Sequence, residues 1–486
     1  MIQNKIWYNI SIAINVIFVL TIISVIYTII RDNNDPIITI AWLQILVFLP
    51  IVGFILYILF GINHRKRKMF RNKAILDVRR LKRIAPFVFQ QELSNDEKIK
   101  MDKLRESRIV KMLYNNNNAH LTLNNRINTY FSGKATNEAI FEHLAKAKHH
   151  IHMEYFSIND DQTGRILQKI FIEKAKQGVE VRLIYDAVGC WRLQKSFLQP
   201  LADCGVQTIP FLPVTLPVFS SKLNYRNHRK IIIIDGVVGF LGGVNIADKY
   251  MGEDKYFGHW RDTHVKLEGD VVYSLQKSFL VDWKFLTKEK LKLECYFPKH
   301  NISNLLPMQI VASGPDSSWE NIMQAYFSAI AGAKEKIYIT SPYLVLNESL
   351  LIALKTAALS GLDVRIILPG RPDHKIVFYG TRSYYEELLE AGVRIYQYNA
   401  GFIHAKVILV DNLFVSIGSA NMDIRSFKQN FEINSIIYDS AYFKILENYF
   451  MDDINNSYEI ILEEFKKRKS SAKVFESFSR LVSPLL

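Results

Sequence analysis

The chain has 486 residues, 49% of them hydrophobic and 22% charged, with a formal net charge of +14. That length and apolar content suit two or three packed domains and exclude a disordered or fibrous chain. Three cysteines, Cys190, Cys204 and Cys295, show no C-x-x-C or metal-like spacing, which argues against a disulfide framework or zinc site and reads as ordinary packing in a reducing compartment. The basic balance points to a polyanionic partner, and nucleic acid or an anionic membrane would satisfy it equally.

In chain order, two uncharged runs come first, Ile6 to Ile30 and Ile37 to Ile62, separated by "RDNNDP". Each exceeds the ~20 residues that cross a hydrocarbon core, so residues 1–63 are expected to form a transmembrane hairpin with helices at about 6–30 and 37–62. Pro50 and Gly53 allow a kink in the second. The first run is too long for the apolar region of a signal peptide and has no small-x-small exit. Between Arg65 and Arg83 there follow ten Lys or Arg against the single Asp77, whereas the loop offers only Arg31. The positive-inside rule puts the loop outside and the remaining chain in the cytoplasm, with the basic segment available to anionic headgroups. Residues 64–120 read as this juxtamembrane segment and a polar, helical linker ending in "NNNN".

The rest contains its own duplicate. "AKAKHHIHMEYF" (145–156) recurs as "AGAKEKIYITSPY" (331–343), "GVEVRLIYD" (178–186) as "GLDVRIILP" (361–369), and "CGVQTIPF" (204–211) as "AGVRIYQY" (391–398). Collinear repetition predicts two homologous domains, 121–300 and 301–486. Helices alternating with short apolar strands make each an α/β domain of mixed sheets flanked by helices.

The repeat carries chemistry. "NHRKIIIIDGVVGFLGGVN" places His228, Lys230 and Asp235 as "IHAKVILVDNLFVSIGSAN" places His404, Lys406 and Asp411. In each, six residues separate the aspartate from a glycine, and Asn245 or Asn421 follows. One H-x-K-x4-D is weak; two in equivalent places of a duplication are strong. Side chains alternate along a strand, so histidine and lysine project to the same side, and the isoleucines give a strand buried on both faces that holds them rigidly. If the copies pack face to face, two imidazoles, two ammonium groups and two amides converge. Such a pocket fits a phosphate: lysines and asparagines bind oxygens, one histidine attacks phosphorus, the other protonates the departing alcohol. No metal or cofactor is needed, because the lysines supply the charge. Asp262 in "WRDTHV" and Glu432 in "NFEINS" are candidates to orient the imidazoles. Tyr225 and Arg226 are candidates to shape the mouth, and His264 and His374 are possible neighbours of the pocket.

With these residues the sequence resembles the phospholipase D superfamily and, more narrowly, the membrane-anchored bacterial cardiolipin synthases with two H-x-K-x4-D motifs. "GGVNIADKY", "ITSPYL", "GSANMDIRSF" and the C-terminal "RLVSPLL" extend the resemblance over nearly the whole chain. It implies two phospholipase D-like α/β domains in a pseudo-twofold pair after the hairpin. It also implies phosphatidyl transfer between two phosphatidylglycerol molecules, giving cardiolipin and glycerol through a phosphohistidine. Residue by residue, His228 becomes the nucleophile and His404 the general acid and then base. Lys230, Lys406, Asn245 and Asn421 bind phosphate, Asp262 and Glu432 orient the histidines, and Asp235 and Asp411 complete the motifs by fixing local structure. The expected partners are phosphatidylglycerol and anionic lipids, at the cell membrane, with the catalytic domains cytoplasmic. A lipase or phosphatidyltransferase using water or another alcohol shares this site, as does a nuclease. The apolar runs and basic segment favour lipid, and no basic patch interleaved with aromatics supports nucleic acid.

Overall fold

The computed structural model describes residues 2–31, 36–57, 95–213, 224–289, 291 and 293–482. They fall into an N-terminal unit, Met1–Asn72 with Val214–Asn224, and a body, Lys73–Pro213 with Tyr225–Leu486.

In the N-terminal unit, Ile2–Arg31 is one helix. The second apolar run is divided into Pro36–Phe48 and Pro50–Leu56. Leu49 leaves the helical region at φ −134° and ψ 64°, and Pro50, lacking an N–H, starts the next helix where that donor has no partner anyway. Ile29, Leu46 and Tyr57 are buried together. Among the described residues no helix is long and apolar enough to cross a membrane. The basic stretch Arg65–Arg83 and the end of the second run lie outside the described residues.

In the body, the first half supplies β1 (Thr122–Ser132), β2 (His150–Tyr155), β3 (Glu180–Asp186), β4 (Gln207–Phe211), β5 (Lys230–Ile234), β6 (Val238–Gly242) and β7 (Trp260–Gly269). The second supplies β8 (Leu305–Ser313), β9 (Lys336–Thr340), β10 (Leu344–Val345), β11 (Asp363–Pro369), β12 (Arg394–Tyr398) and β13 (Phe402–Ile403). It continues with β14 (Val407–Val410), β15 (Phe414–Gly418), β16 (Met422–Asp423), β17 (Glu432–Tyr438) and β18 (Ser457–Glu459). β10 and β16 pair with each other, and the rest share one sheet. Outward from the central antiparallel pair β1–β8, one half runs β1-β7-β6-β5-β2-β3-β4. The other runs β8-β17-β15-β14-β9-β11-β12, with β18 at its edge. Each half is thus a mixed α/β domain of the same strand order.

Local chemistry explains the mixture. β2, β3 and β4 are parallel, as are β9, β11 and β12, because helices such as Gln162–Lys176 and Glu348–Leu359 return the chain between them. β5–β6 and β14–β15 are tight antiparallel hairpins. Their turns place Asp235 and Gly236 at φ 55° and 69°, and Asp411 and Asn412 at 51° and 58°, left-handed pairs closed by the Val237 amide on the Ile234 carbonyl and the Leu413 amide on that of Val410. Ile231, Ile232 and Ile233 are wholly buried.

One expectation changes. The polar segment expected as a linker forms Asn95–Glu106 and Arg108–Asn117. Val110 and Leu113 of the second helix are buried in the core of the second half. Its asparagine end is tied to the second half: Asn117 donates to the Ala312 carbonyl and Asn116 to the Gln324 side chain, both at 2.9 Å.

Candidate active site

The two histidines stand just before β5 and β14, and pairing with the opposite half fixes where they point. Asn227 forms a parallel bridge with Phe431, and the His228 amide donates to the Phe431 carbonyl at 2.9 Å. His228 therefore lies beside Glu432. In the mirrored arrangement β13 runs parallel to β7 with Ile403 opposite Arg261, and the His404 amide donates to the Arg261 carbonyl at 2.7 Å. His404 therefore lies beside Asp262. His228 Nδ1 is 3.0 Å from Glu432 Oε2, and His404 Nδ1 is 2.9 Å from Asp262 Oδ2. Each imidazole is oriented by a carboxylate from the other half.

Strand register makes the two carboxylates equivalent even though their spacing from the motifs differs. Gly242 is opposite His264 and Gly418 is opposite Asn434, which puts Asp262 and Glu432 each two residues ahead of the matched position. The residues after the glycines adapt to carboxylate length. A Cβ on Gly243 would fall 2.2 Å from Asp262 Oδ1, whereas Ser419 has a side chain and its Oγ donates to the longer Glu432 at 2.5 Å.

All six charged or titratable groups are buried or nearly so. Lys230 Nζ donates to the His228 carbonyl at 2.6 Å, and Lys406 Nζ to that of His404 at 2.5 Å. Burial lowers Lys230 to about 7 and Lys406 to about 8, against the pull of Glu432 and Asp262. Burial and then Lys406 lower His404 to about 4. His228 is lowered as well, by burial and the charges of Lys230 and Lys406, with Glu432 opposing. For Asp262 burial pulls upward, but Lys406 and the bond to His404 outweigh it and hold the carboxyl low. Burial likewise opposes Glu432, and His228 and Lys230 overcome it. The site thus holds two neutral imidazoles, each giving Nδ1–H to a carboxylate, and the His404 ring is also met by Lys406 Nζ, 3.0 Å from Nδ1 and 3.3 Å from Nε2. Lys406 perturbs both His228 and Lys230, so the two motifs share one electrostatic pocket.

The asparagines each keep one amide atom unclaimed among the described residues. Asn245 Nδ2 reaches Tyr250 Oη at 3.2 Å, while the Oδ1 atoms of Asn245 and Asn421 are buried without a partner. An amide turned end for end would present NH2 instead. Asp235 and Asp411 stand apart from this cluster, at the far ends of β5 and β14. The Asp235 carboxylate accepts from the amides of Lys148, His149 and His150, and Asp411 from those of Lys334, Glu335 and Lys336. They fasten the turn before β2 and before β9.

Arg226 is buried against Asp186, with Nη1–Oδ1 at 3.2 Å, and Tyr225 is half-buried. His264 is buried, its ring against the Gly242 backbone, and burial holds it neutral at about 3. His374 is exposed and precedes the helix Lys375–Arg382. Sequence reasoning missed the support beneath His228. Asn227 donates to Glu154 at 2.6 Å and Arg229 contacts Asp282, all buried. The alternation of Asn227, His228, Arg229 and Lys230 was the available signal, since polar residues on both faces of a buried strand need partners on both sides. It also missed the ring walls: Phe156 lies 4.8 Å edge-on to His228 and Trp260 lies 5.3 Å from His404. A separate cavity of about 300 Å³ bounded by Arg229, Ser278 and Trp319 includes neither histidine.

Paired H-x-K-x4-D motifs that bring two carboxylate-oriented imidazoles and two lysines together on a mirrored α/β pair define a phospholipase D-type centre. The family model described as cardiolipin synthase, phospholipase D-like domain, matches residues 140–283 and 326–454. A second, described as phospholipase D-nuclease N-terminal, matches residues 16–61. The cardiolipin synthase of Geobacillus sp. (strain WCH70) is 45% identical over 480 residues, covering 98% of this chain and 93% of that protein. The major cardiolipin synthase ClsA of Bacillus subtilis (strain 168) is 39% identical, covering 98% and 99%. A phosphatidylserine synthase structure from Haemophilus influenzae Rd KW20 shares the fold, with a TM-score of 0.59 at 16% identity over 78% of this chain and 100% of that one. The chain belongs to the cardiolipin synthase family, phosphatidyltransferases of the phospholipase D superfamily.

Proposed function

We propose that this chain makes cardiolipin from two phosphatidylglycerol molecules, with His228 as nucleophile and His404 as general acid and then base. The observation that carries this reading is the crossed pair of buried carboxylates, each fixing one Nδ1–H and assigning the chemistry at phosphorus to Nε2, with Lys406 Nζ passing from its 3.3 Å contact with His404 Nε2 to the phosphate. His228 Nε2 forms the bond to phosphorus as the bond to the headgroup glycerol oxygen breaks, and His404 gives that oxygen its proton. In the second step His404 takes the proton from a hydroxyl of the acceptor phosphatidylglycerol, whose oxygen displaces His228. The phosphohistidine divides one hard displacement into two easier ones. Lys230, Lys406, Asn245 and Asn421 bind the phosphate oxygens. Burial and Lys406 keep His404 neutral, and a phosphate anion bound beside it, with Asp262 on its other nitrogen, favours the imidazolium that serves as acid. Asp235 and Asp411 serve by anchoring the motif hairpins.

The same reading makes residues 1–63 a transmembrane hairpin at the cell membrane, with the two domains, 121–300 and 301–486, in the cytoplasm. Two uncharged runs and the ten basic residues between Arg65 and Arg83 support it. An impermeant thiol reagent added to intact cells should then label Asn33→Cys, but Cys295 only after lysis.

The reaction is tested by incubating purified protein in detergent with phosphatidylglycerol alone, without nucleotide or metal. Cardiolipin and free glycerol in equal amounts are the expected products. Phosphatidic acid instead, or a requirement for a cytidine-activated lipid, sinks the reading.

A further inference from the structure

The last described helix, Ser470–Val482, is docked with its charges inward. Glu476 is buried and accepts from Arg382 Nε at 3.1 Å and Arg468 Nε at 2.8 Å, and Arg480 donates to Glu387 at 2.8 Å. Its apolar side chains point the other way: Val474 is 69% exposed, Phe475 43%, Phe478 57% and Leu481 79%. Their spacing gathers them into one stripe. A surface helix ordinarily turns such a stripe to the core, and this one is held in the opposite sense by three ion pairs.

The stripe continues toward the active site. Phe475 meets Tyr379 edge-on at 4.7 Å, and Tyr379 belongs to the helix Lys375–Arg382, whose Ile376 is also exposed. That helix starts two residues after Asp373, whose charge is felt by His404 and Lys406. Exposed Lys375 opens the one helix, and exposed Lys467 and Lys469 stand just before the other.

We infer that this strip is a docking face for an anionic phospholipid bilayer. Ser470–Val482 lies in the plane of the interface, its apolar stripe among the acyl chains and the lysines at headgroup depth. Charge selects this occupant: a second copy would bring a like cationic rim against this one, whereas anionic headgroups complement it. The inference rests on the lipid substrate proposed above, and it gives the active site a fixed approach to headgroups that a tether alone does not supply.

The test uses the full chain carrying Cys204→Ser, Cys295→Ser and Phe478→Cys, labelled at 478 with an environment-sensitive fluorophore; Cys190 is buried. The chain is reconstituted into vesicles containing brominated acyl chains, of phosphatidylglycerol or of phosphatidylcholine. A blue shift and quenching are expected in phosphatidylglycerol and much less in phosphatidylcholine. In parallel, Val474→Ser with Phe478→Ser and Leu481→Ser leaves the ion pairs intact. It should lower turnover of vesicle phosphatidylglycerol about tenfold and leave turnover of a monomeric short-chain phosphatidylglycerol unchanged. No quenching in phosphatidylglycerol, or equal loss with both substrates, overturns the proposal. A shift that follows the protein-to-lipid ratio and ignores lipid charge also overturns it, because the face is then a contact between copies. Quenching by a chain that makes no cardiolipin supports the docking face and removes the proposed reaction instead.

Discussion

Glu432 and His228, 204 residues apart in sequence, share a 3.0 Å hydrogen bond that crosses between the two halves of the body. A carboxylate in that position fixes the imidazole tautomer and raises its basicity. Glu432→Gln keeps an acceptor of the same shape but removes the charge. It should lower kcat about 10- to 100-fold with the thermal transition unchanged. Asp262→Asn should do the same through His404. Turnover within twofold of the parent in either variant contradicts the assigned roles.

The pH profile of kcat/KM follows from the free site. His228 must be neutral to attack, and it is held below 6.5; His404 must be protonated to act as acid, and since it is held at about 4 it takes up that proton as the phosphate binds, which makes kcat/KM decline with rising pH. The lysines must be charged to bind phosphate. They titrate at about 7 and about 8, so charge is present below that window and lost as pH rises through it. The decline should therefore steepen near pH 7 to 8, where the lysines add their loss of charge to the proton His404 must gain. A plateau reaching pH 9.5 counts against cationic lysines as the phosphate ligands.

The Gly243–Asp262 and Ser419–Glu432 pairs should be exchangeable only together. Gly243→Ser alone drives a side chain into Asp262, where even a Cβ would lie 2.2 Å from Oδ1, and should cost about 100-fold in kcat. Adding Asp262→Glu recreates the arrangement of the second half and should recover about tenfold of that loss. Purely additive effects in a double-mutant cycle rule the coupling out.

Asp411→Ala removes the acceptor for three backbone amides and should destabilise the body by about 2 kcal/mol. Turnover per folded molecule, counted by phosphoenzyme titration, should stay within about twofold. A collapse of kcat with unchanged thermal stability would place Asp411 among the groups that touch substrate.

The paired motifs were legible because they are local: four isoleucines announce a buried strand, and period two aligns His228 with Lys230. The duplication was legible because strand and helix order repeats in the sequence. The assignment of carboxylates to histidines was not, because it depends on the bridges Asn227–Phe431 and Ile403–Arg261, which join segments far apart in the chain. Sequence spacing also hid the equivalence of Asp262 and Glu432, since the loops before them differ in length while the strand registers agree. The segment 95–117 hides its packing for a related reason. Its polar composition describes the face turned to water, and Val110 and Leu113 alone say too little about the core they enter.

The exchanged carboxylates bear on inheritance as well as on catalysis. Neither copy of the duplicated unit retains a complete apparatus, because each lends its acid to the imidazole of the other. With that loan in place, neither half can hold its imidazole without the other beside it. A change at position 243 is judged by what stands at 262, and the reaction on one side of the axis is answerable to both ends of the chain.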